Sequence, residues 1–206
     1  MREKIFVIDA ARIPVCKSSG DKIPPEEGGD GKKKYPGKYA AMSSVELLST
    51  VFKGLLGRTP VPVTDIADII TGCAIQDSDQ GINVSRIAAL TAGIPIEIPA
   101  ATVNRLCGSS LTAVMKAAEF LIAGQFFKEE IPHLVMAGGI EHMGHHDMVE
   151  AFLPTKYFYD NFARDNIDAL SMGLTAERLA EKYNISRFFS TIICFFAKLT
   201  IPKQAS

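Results

Sequence analysis

The sequence lacks the features that would assign it to several broad classes of protein. Its 206 residues carry 22 Lys and Arg against 23 Asp and Glu, a net charge of −1, so the basic excess that a nucleic-acid surface needs is missing. No apolar run approaches the length of a membrane span, and the most apolar stretch, residues 188–196, is short and contains polar residues. The apolar core of the first residues is brief and broken by Asp9. We therefore expect no nucleic-acid partner, no membrane span and no signal peptide.

Closely spaced cysteines are also missing. The four cysteines are far apart, and none forms a Cys-x-x-Cys pair: Cys16, Cys73, Cys107 and Cys194. In a chain without a secretory signal, such cysteines are usually free thiols in a reducing compartment. We therefore expect a cytoplasmic protein without disulfides.

What the sequence does contain is an alternation of strand and helix patterns. Runs rich in β-branched and apolar residues predict strands at 4–10, 66–72, 98–103 and 133–139. Helical patterns lie between the later strands, and a Gly-, Pro- and Lys-rich loop spans 16–39. This alternation is typical of βαβ units, so we predict an α/β domain with a mostly parallel sheet over residues 1–139. After Gly139 the periodicity is lost until a helical pattern returns near residue 172.

Two helices have clear sequence signals. Ser43 and Glu46 have the spacing of a capping box, and apolar residues follow at helical period. The helix after Cys107 has an apolar stripe that we predict to be buried, made of Leu111, Val114, Met115, Ala118, Leu121 and Ile122.

Cys107 lies where a predicted strand passes into that second helix. A thiol is nucleophilic as the thiolate, which a helix N-terminus favours. Gly108, Ser109 and Ser110 would let a ligand approach closely. In open α/β sheets, ligands bind beyond the carboxyl ends of the strands, where Cys107 is predicted to lie. The alternative is a small buried residue that packs the helix onto the sheet, as most free cysteines do.

Several motifs around Cys107 resemble one enzyme family. The segment "VNRLCGSSL" (103–111) resembles the nucleophile motif of thiolases, and "VIDAARIPVCK", "NVSRIAALTAGIP", "MAGGIEHMGH" and "MGLTAERLAEKYNISR" resemble other thiolase segments in the same order. On these motifs the chain is identified as a member of the thiolase family over residues 4 to about 187. The resemblance implies the N-terminal half of the thiolase fold, a layered and mostly parallel sheet with helices, plus part of a loop domain at 140–187.

The resemblance also implies a reaction. Cys107 would be the nucleophile that accepts the acyl group when a 3-ketoacyl-CoA is cleaved by coenzyme A, as in fatty-acid β-oxidation. Coenzyme A would be a substrate, and no metal or redox cofactor would be needed. Homo-oligomers and a β-oxidation multienzyme partner are the protein partners that the family implies. Met143 would line an acyl pocket, although plain packing is an equal alternative for a methionine.

A histidine cluster raises the alternative of a metal site. His142, His145 and His146 form a His-x-x-His-His pattern, but Gly144 and the preceding glycines favour a loop. No cysteine or carboxylate completes a ligand set of the usual spacing. We therefore expect no metal there.

The sequence departs from the family in its last part. It contains none of the Asn-Glu-Ala-Phe, Gly-His-Pro and Cys-x-Gly motifs that the second half of a thiolase supplies. We expect the last strand of the first domain and the whole C-terminal domain to be absent, and residues 188–206 to be a divergent tail. One choice of codons for 190–196, read one base later, encodes Gln-Gln-Ser-Phe-Ala-Phe, which resembles the family's continuation. A frameshift near Arg187 is therefore our hypothesis, and the coding DNA tests it.

Three functional hypotheses follow. The first is a thiolase-family acyltransferase, and the second is a catalytically inactive truncated fragment that retains only the nucleophile half. The third is a ketoacyl synthase on the same fold. The Glu-His-Met-Gly and Met-Gly-Leu-Thr-Ala-Glu segments favour a thiolase over a synthase. The missing motifs favour an inactive fragment over a complete enzyme.

Overall fold

The structure, a computed structural model, describes residues 4–16, 39, 41–127, 134–145, 156 and 172–192. The chain divides into two compact units, Met1–Ala151 and Phe152–Ser206. The first unit contains, in chain order, α1 (Ser44–Arg58), β1 (Ile66–Gly72), α2 (Val84–Thr91), β2 (Ala100–Val103), α3 (Ser109–Phe127) and β3 (Leu134–Gly139). The second contains α4 (Met172–Lys182) and a short helix over 187–192. The domain boundaries predicted at 139 and 187 stay predictions.

The three strands form one parallel sheet in the order β2-β1-β3. Ile69 of β1 pairs with Ala100 of β2 on one side and with Met136 of β3 on the other. Parallel strands need long crossovers, and helices supply them here. The predicted parallel α/β architecture is therefore confirmed.

The core lies on both faces of β1, because successive side chains of a strand point to opposite faces. On one face, Ile69 packs in a cluster with α1 and α2 residues such as Phe52 and Ala88. On the other face, Ile70 packs against Ala113 and Ala117 of α3. The domain is therefore a sheet between two helical layers, and all three strands end at the same edge.

The start of α1 follows the predicted capping box. Ser43 Oγ accepts a hydrogen bond from the Glu46 N–H at 3.2 Å, and the Glu46 carboxylate accepts one from the Ser43 N–H at 2.7 Å. The second bond lowers the pKa of Glu46, because it stabilises the charged carboxylate. Local hydrogen bonds of this kind depend only on neighbours in sequence, which is why the prediction holds.

The strand predicted at 4–10 is wrong, since residues 4–16 contain neither helix nor strand. Phe6, Val7 and Ile8 are exposed rather than paired in the sheet. The segment is attached instead through Asp9, whose carboxylate accepts hydrogen bonds of 2.6 and 2.8 Å from Arg58 at the end of α1. These bonds lower the pKa of Asp9 to about 2. An apolar run forms a strand only where a sheet edge hydrogen-bonds to it, and β3's outer edge has no strand partner among the described residues.

The burial predicted for α3 is also wrong in part. The helix contacts the sheet through its small residues, with Ser109, Thr112, Ala113 and Ala117 buried, whereas Leu111, Val114, Met115 and Ile122 are exposed. Small side chains let the helix axis approach the sheet closely, so the large apolar residues lie on its other sides.

Among the described residues, one helix, at 106–124, is long and apolar enough to cross a membrane by length and composition; core helices of soluble proteins pass the same test.

Candidate active site

Cys107 lies between the end of β2 and the first turn of α3, where the sequence predicts it. Its thiol is free and exposed. The preceding residue, Leu106, has φ +48°, a left-handed conformation that side chains other than glycine rarely adopt. The chain therefore turns sharply at Leu106 before α3 begins. The alternative of a buried packing cysteine does not apply to this thiol.

The turn is held by local hydrogen bonds. The Leu106 N–H donates to Asn104 Oδ1 at 2.8 Å, and the Gly108 N–H donates to the Arg105 carbonyl at 3.0 Å. Ser109 contributes twice, since its Oγ accepts from the Arg105 N–H at 2.9 Å and donates to the Leu106 carbonyl at 2.6 Å. Ser109 is buried, and its hydroxyl both donates and accepts a hydrogen bond. These bonds offset the strain of the left-handed residue.

Two glycines make room for the start of α3. Gly72 and Gly139 are paired in register at the ends of β1 and β3. A Cβ added to Gly72 would overlap the backbone of Ser109 and Ser110, and one added to Gly139 would lie 2.8 Å from Ser110 Cβ. We call this pair the glycine notch. The close packing of helix and strands requires it, and we did not identify it from the sequence, where "TGC" and "AGG" look like ordinary strand ends.

A second feature that sequence reasoning missed is a polar network between the loops that follow β1 and β3. Glu141 accepts hydrogen bonds of 2.8 Å from the Ala74 N–H and from Gln80 Nε2. Gln80 is completely buried, and its Oε1 accepts from the His142 N–H at 2.6 Å. Asn104 Nδ2 in turn donates to the Ala74 carbonyl at 2.8 Å. The three loops at the carboxyl edge of the sheet are therefore connected to one another.

The histidines of the predicted cluster pack against each other. The rings of His142 and His145 are stacked with centroids 3.7 Å apart, and His145 Nδ1 lies 3.0 Å from an Asp79 carboxylate oxygen. His142 is buried, with Nε2 3.1 Å from the Tyr39 carbonyl, and among the described residues its Nδ1 has no hydrogen-bond partner. In the described part of the chain, no group of three or more His, Cys, Asp or Glu side chains could hold a metal ion. His146 lies outside that part, so the expectation of no metal stays a prediction.

Met143 lies beside a cavity of the first unit. It lines a cavity of about 740 Å³ between residues 5–16, α1, α3 and β3. The lining is mostly apolar and includes Phe6, Phe52, Leu121, Met136 and Met143, but not Cys107. Met143 therefore lines a mostly apolar cavity, and its substrate-binding role stays a prediction.

The remaining cysteines differ from Cys107. Cys73 directly follows β1 and is 1% exposed, and burial, followed by the charge of Glu141, raises its pKa to about 12. Cys16 is partly buried. Cys194 lies outside the described residues. Cys73 is therefore a protonated, inert thiol at neutral pH.

Comparison with known proteins agrees with the resemblance to thiolases. The family "Thiolase, N-terminal domain" matches residues 31–189. The 3-ketoacyl-CoA thiolase of Serratia proteamaculans is 35% identical over 187 residues, which cover 90% of this chain and 42% of that protein. The 3-ketoacyl-CoA thiolase of Vibrio cholerae serotype O1 is 36% identical over 185 residues, covering 89% of this chain and 41% of that protein. The chain thus spans about two fifths of the length of the curated relatives it matches.

Proposed function

The chain belongs to the thiolase family, and from that premise we propose that Cys107 accepts an acyl group from a 3-ketoacyl-CoA. The single observation that carries the proposal is the exposed thiol just before α3, inside a segment that resembles the family's nucleophile motif. A nucleophile of this kind needs free access and a site that stabilises the thiolate. The exposed thiol has free access, and it lies two residues before the start of α3.

The proposed reaction has two acyl transfers. The Cys107 thiolate attacks the 3-keto carbon, the bond between C2 and C3 of the substrate breaks, and C2 takes a proton as acetyl-CoA leaves. The acyl group is then a thioester on Cys107. The thiol of a second coenzyme A loses its proton, which balances the proton taken up by C2, and its sulfur attacks that thioester. This step releases acyl-CoA and returns the Cys107 thiolate. Coenzyme A is therefore a substrate, and the reaction needs no metal or redox cofactor.

The substrate class follows from the names of the relatives. They are 3-ketoacyl-CoA thiolases, so we propose a 3-ketoacyl-CoA as substrate and fatty-acid β-oxidation as the process. Homo-oligomers and a β-oxidation multienzyme partner remain predictions from the family.

A second candidate function rests on what this sequence does not contain. The Asn-Glu-Ala-Phe, Gly-His-Pro and Cys-x-Gly motifs that the family supplies from its second half are not in the 206 residues. By the resemblance, these groups handle protons and stabilise the oxyanion, and loss of a single oxyanion donor lowers a rate by about 10²–10³. We therefore propose that residues 1–206 contribute the nucleophile and that efficient turnover needs the groups that the family supplies from its second half.

The test is to incubate the protein with acetoacetyl-CoA and to measure its mass before and after coenzyme A is added. We expect one acetyl group on Cys107, lost again on addition of coenzyme A, and little acetyl-CoA turnover. Cys107→Ser should carry no acetyl group, whereas Cys16→Ser, the control on a partly buried thiol, should keep it. An acetyl group that forms equally on Cys107→Ser would contradict the proposal, and so would a wild-type protein that is never acylated.

A further inference from the structure

A continuous series of hydrogen bonds connects the loop after β3 to the turn that carries Cys107. It begins at Glu141, whose carboxylate accepts from the Ala74 N–H at 2.8 Å. The carbonyl of the same residue, Ala74, accepts from Asn104 Nδ2 at 2.8 Å. Asn104 Oδ1 then accepts from the Leu106 N–H at 2.8 Å, one residue before Cys107. Every bond in the series has the length of a good hydrogen bond.

Asn104 is the residue that connects two loops in this series. Its amide group donates to the loop after β1, while its carbonyl oxygen accepts from the turn after β2. The conformation of Leu106 is strained at φ +48°, and strain of this kind persists only where the surroundings determine it. Asn104 supplies the acceptor for the backbone N–H of the strained residue itself.

Glu141 is in turn held in one position. Its second carboxylate oxygen accepts from Gln80 Nε2 at 2.8 Å. Gln80 is completely buried and uses both ends of its amide, donating also to the Ile75 carbonyl at 2.7 Å and accepting from the His142 N–H at 2.6 Å. A buried amide with all its partners has little freedom to move. The series therefore starts from a rigid point.

We propose that Asn104 and Glu141 are positioning residues that hold the Leu106 turn, and with it the Cys107 sulfur, at the start of α3. The inference rests on the proposed function, because it concerns the residue proposed as the nucleophile. Within the described part of the chain, neither side chain hydrogen-bonds to the Cys107 thiol, so each acts through the backbone. Misplacement of a reacting atom by about 1 Å can reduce a rate by about 100-fold, which gives such residues a large effect.

The test is the rate at which iodoacetamide alkylates Cys107 in the full chain, followed by mass spectrometry of the peptide. We expect Asn104→Ala to slow alkylation about tenfold. Cys107 is already exposed, so a looser turn adds no access and only removes the sulfur from its place beside the helix N-terminus. Asn104→Asp keeps an oxygen that accepts from Leu106, and its rate should stay within about threefold of wild type. Glu141→Ala should slow alkylation about threefold.

Two controls separate positioning from general loosening. Asn83 also connects a strand and a helix, through bonds to Ala100, Thr102 and Arg86, but bonds to none of residues 104–108. Asn83→Ala should therefore leave the Cys107 rate unchanged. Alkylation of buried Cys73 in the same molecules reports global opening, and it should stay at the wild-type rate in Asn104→Ala.

Four results would overturn the inference: a wild-type rate in Asn104→Ala, an equal loss in Asn104→Asp, an equal loss in Asn83→Ala, or slowing at Cys107 together with faster labelling of Cys73. If Asn104→Ala does not fold, Asn104→Asp and Glu141→Ala are compared in its place, and equal wild-type rates in both would overturn it. Alkylation requires no acyl-CoA. A protein that is never acylated but shows the expected alkylation pattern would therefore contradict the proposed function and leave this inference intact.

Discussion

Cys73 and Cys107 lie at the same edge of one sheet, but the first thiol is buried and the second is exposed. Cys73 directly follows β1 and is 1% exposed, whereas Cys107 follows the adjacent strand β2 and is exposed. The Cys73 N–H donates to the Val103 carbonyl at 3.0 Å, so Cys73 continues the pairing between the two strands. The comparison shows that a place at the carboxyl end of a strand does not by itself expose a thiol.

The difference arises in the few residues after each strand. Cys73 comes before its chain turns, so its sulfur stays inside the domain, and burial together with the charges of Glu141 and Asp79 raises its pKa to about 12. Cys107 comes after the chain has turned at Leu106, which brings it to the surface. The strained turn, more than the strand, decides which cysteine can react.

The largest expected effect is a difference in reactivity between the two thiols. With a pKa of about 12, Cys73 is a thiolate in only about one molecule in 10⁴ at pH 8, and it is also buried. We expect iodoacetamide to label Cys107 at least 100-fold faster than Cys73 in the folded protein, with similar rates in 8 M urea. Peptide mass spectrometry over time measures both. Comparable labelling rates of Cys107 and Cys73 in the folded protein would contradict this prediction.

The next effect concerns the glycine notch. Gly72→Ala places a Cβ against the backbone of Ser109 and Ser110, which cannot move without displacing α3. We expect a loss of about 3 kcal/mol in the free energy of unfolding, measured by circular dichroism in urea. Gly138→Ala is the matched control, since a Cβ there meets nothing within 4 Å, and it should change stability by less than about 1 kcal/mol. Equal effects of the two substitutions would show that the notch is not needed.

A smaller effect is a loss of stability at alkaline pH that depends on Cys73. The folded state keeps this thiol protonated up to a pKa of about 12, while the unfolded thiol ionises near its ordinary value of 9.0. The contribution of the Cys73 thiol to the free energy of unfolding is therefore complete below pH 9. It is lost between pH 9 and 12, at about 1.4 kcal/mol per pH unit. From pH 8 to 10.5, wild type should lose about 2 kcal/mol more than Cys73→Ala. Parallel curves for the two proteins would contradict the assigned cause.

The smallest effect is on stability when each thiol is removed at neutral pH. Cys107→Ala should change the free energy of unfolding by less than about 0.5 kcal/mol, because the exposed side chain contributes little packing. Cys73→Ala should cost about 1–2 kcal/mol, because its sulfur fills buried space. Urea unfolding at pH 7 measures both. A larger loss for Cys107→Ala would mean that its sulfur has a structural role.

The sequence predicts the parts of the fold that depend on local interactions. The capping box of Ser43 and Glu46 needs only near neighbours in sequence, and both of its hydrogen bonds are present. The position of Cys107 between strand and helix follows from the same local patterns.

The parts that sequence reasoning missed depend on distant contacts. Residues 4–10 have a strand's composition but not a strand's partner. Gln80 and Glu141 are 61 positions apart and look like ordinary polar loop residues until the fold brings them together. On α3, small residues face the sheet because the strands end in glycine, and large apolar residues lie elsewhere. Periodicity identifies an apolar face of a helix but cannot decide how closely that helix approaches a sheet.

The glycine notch has a consequence for protein engineering. Gly72 and Gly139 lie side by side on adjacent strands, and both are needed for one helical turn to settle onto the sheet. Anyone who grafts the Cys107 turn onto a different parallel scaffold must first delete the side chains at two matched positions of the host. A single cysteine mutation in such a scaffold, however well placed on the surface, would not reproduce this geometry.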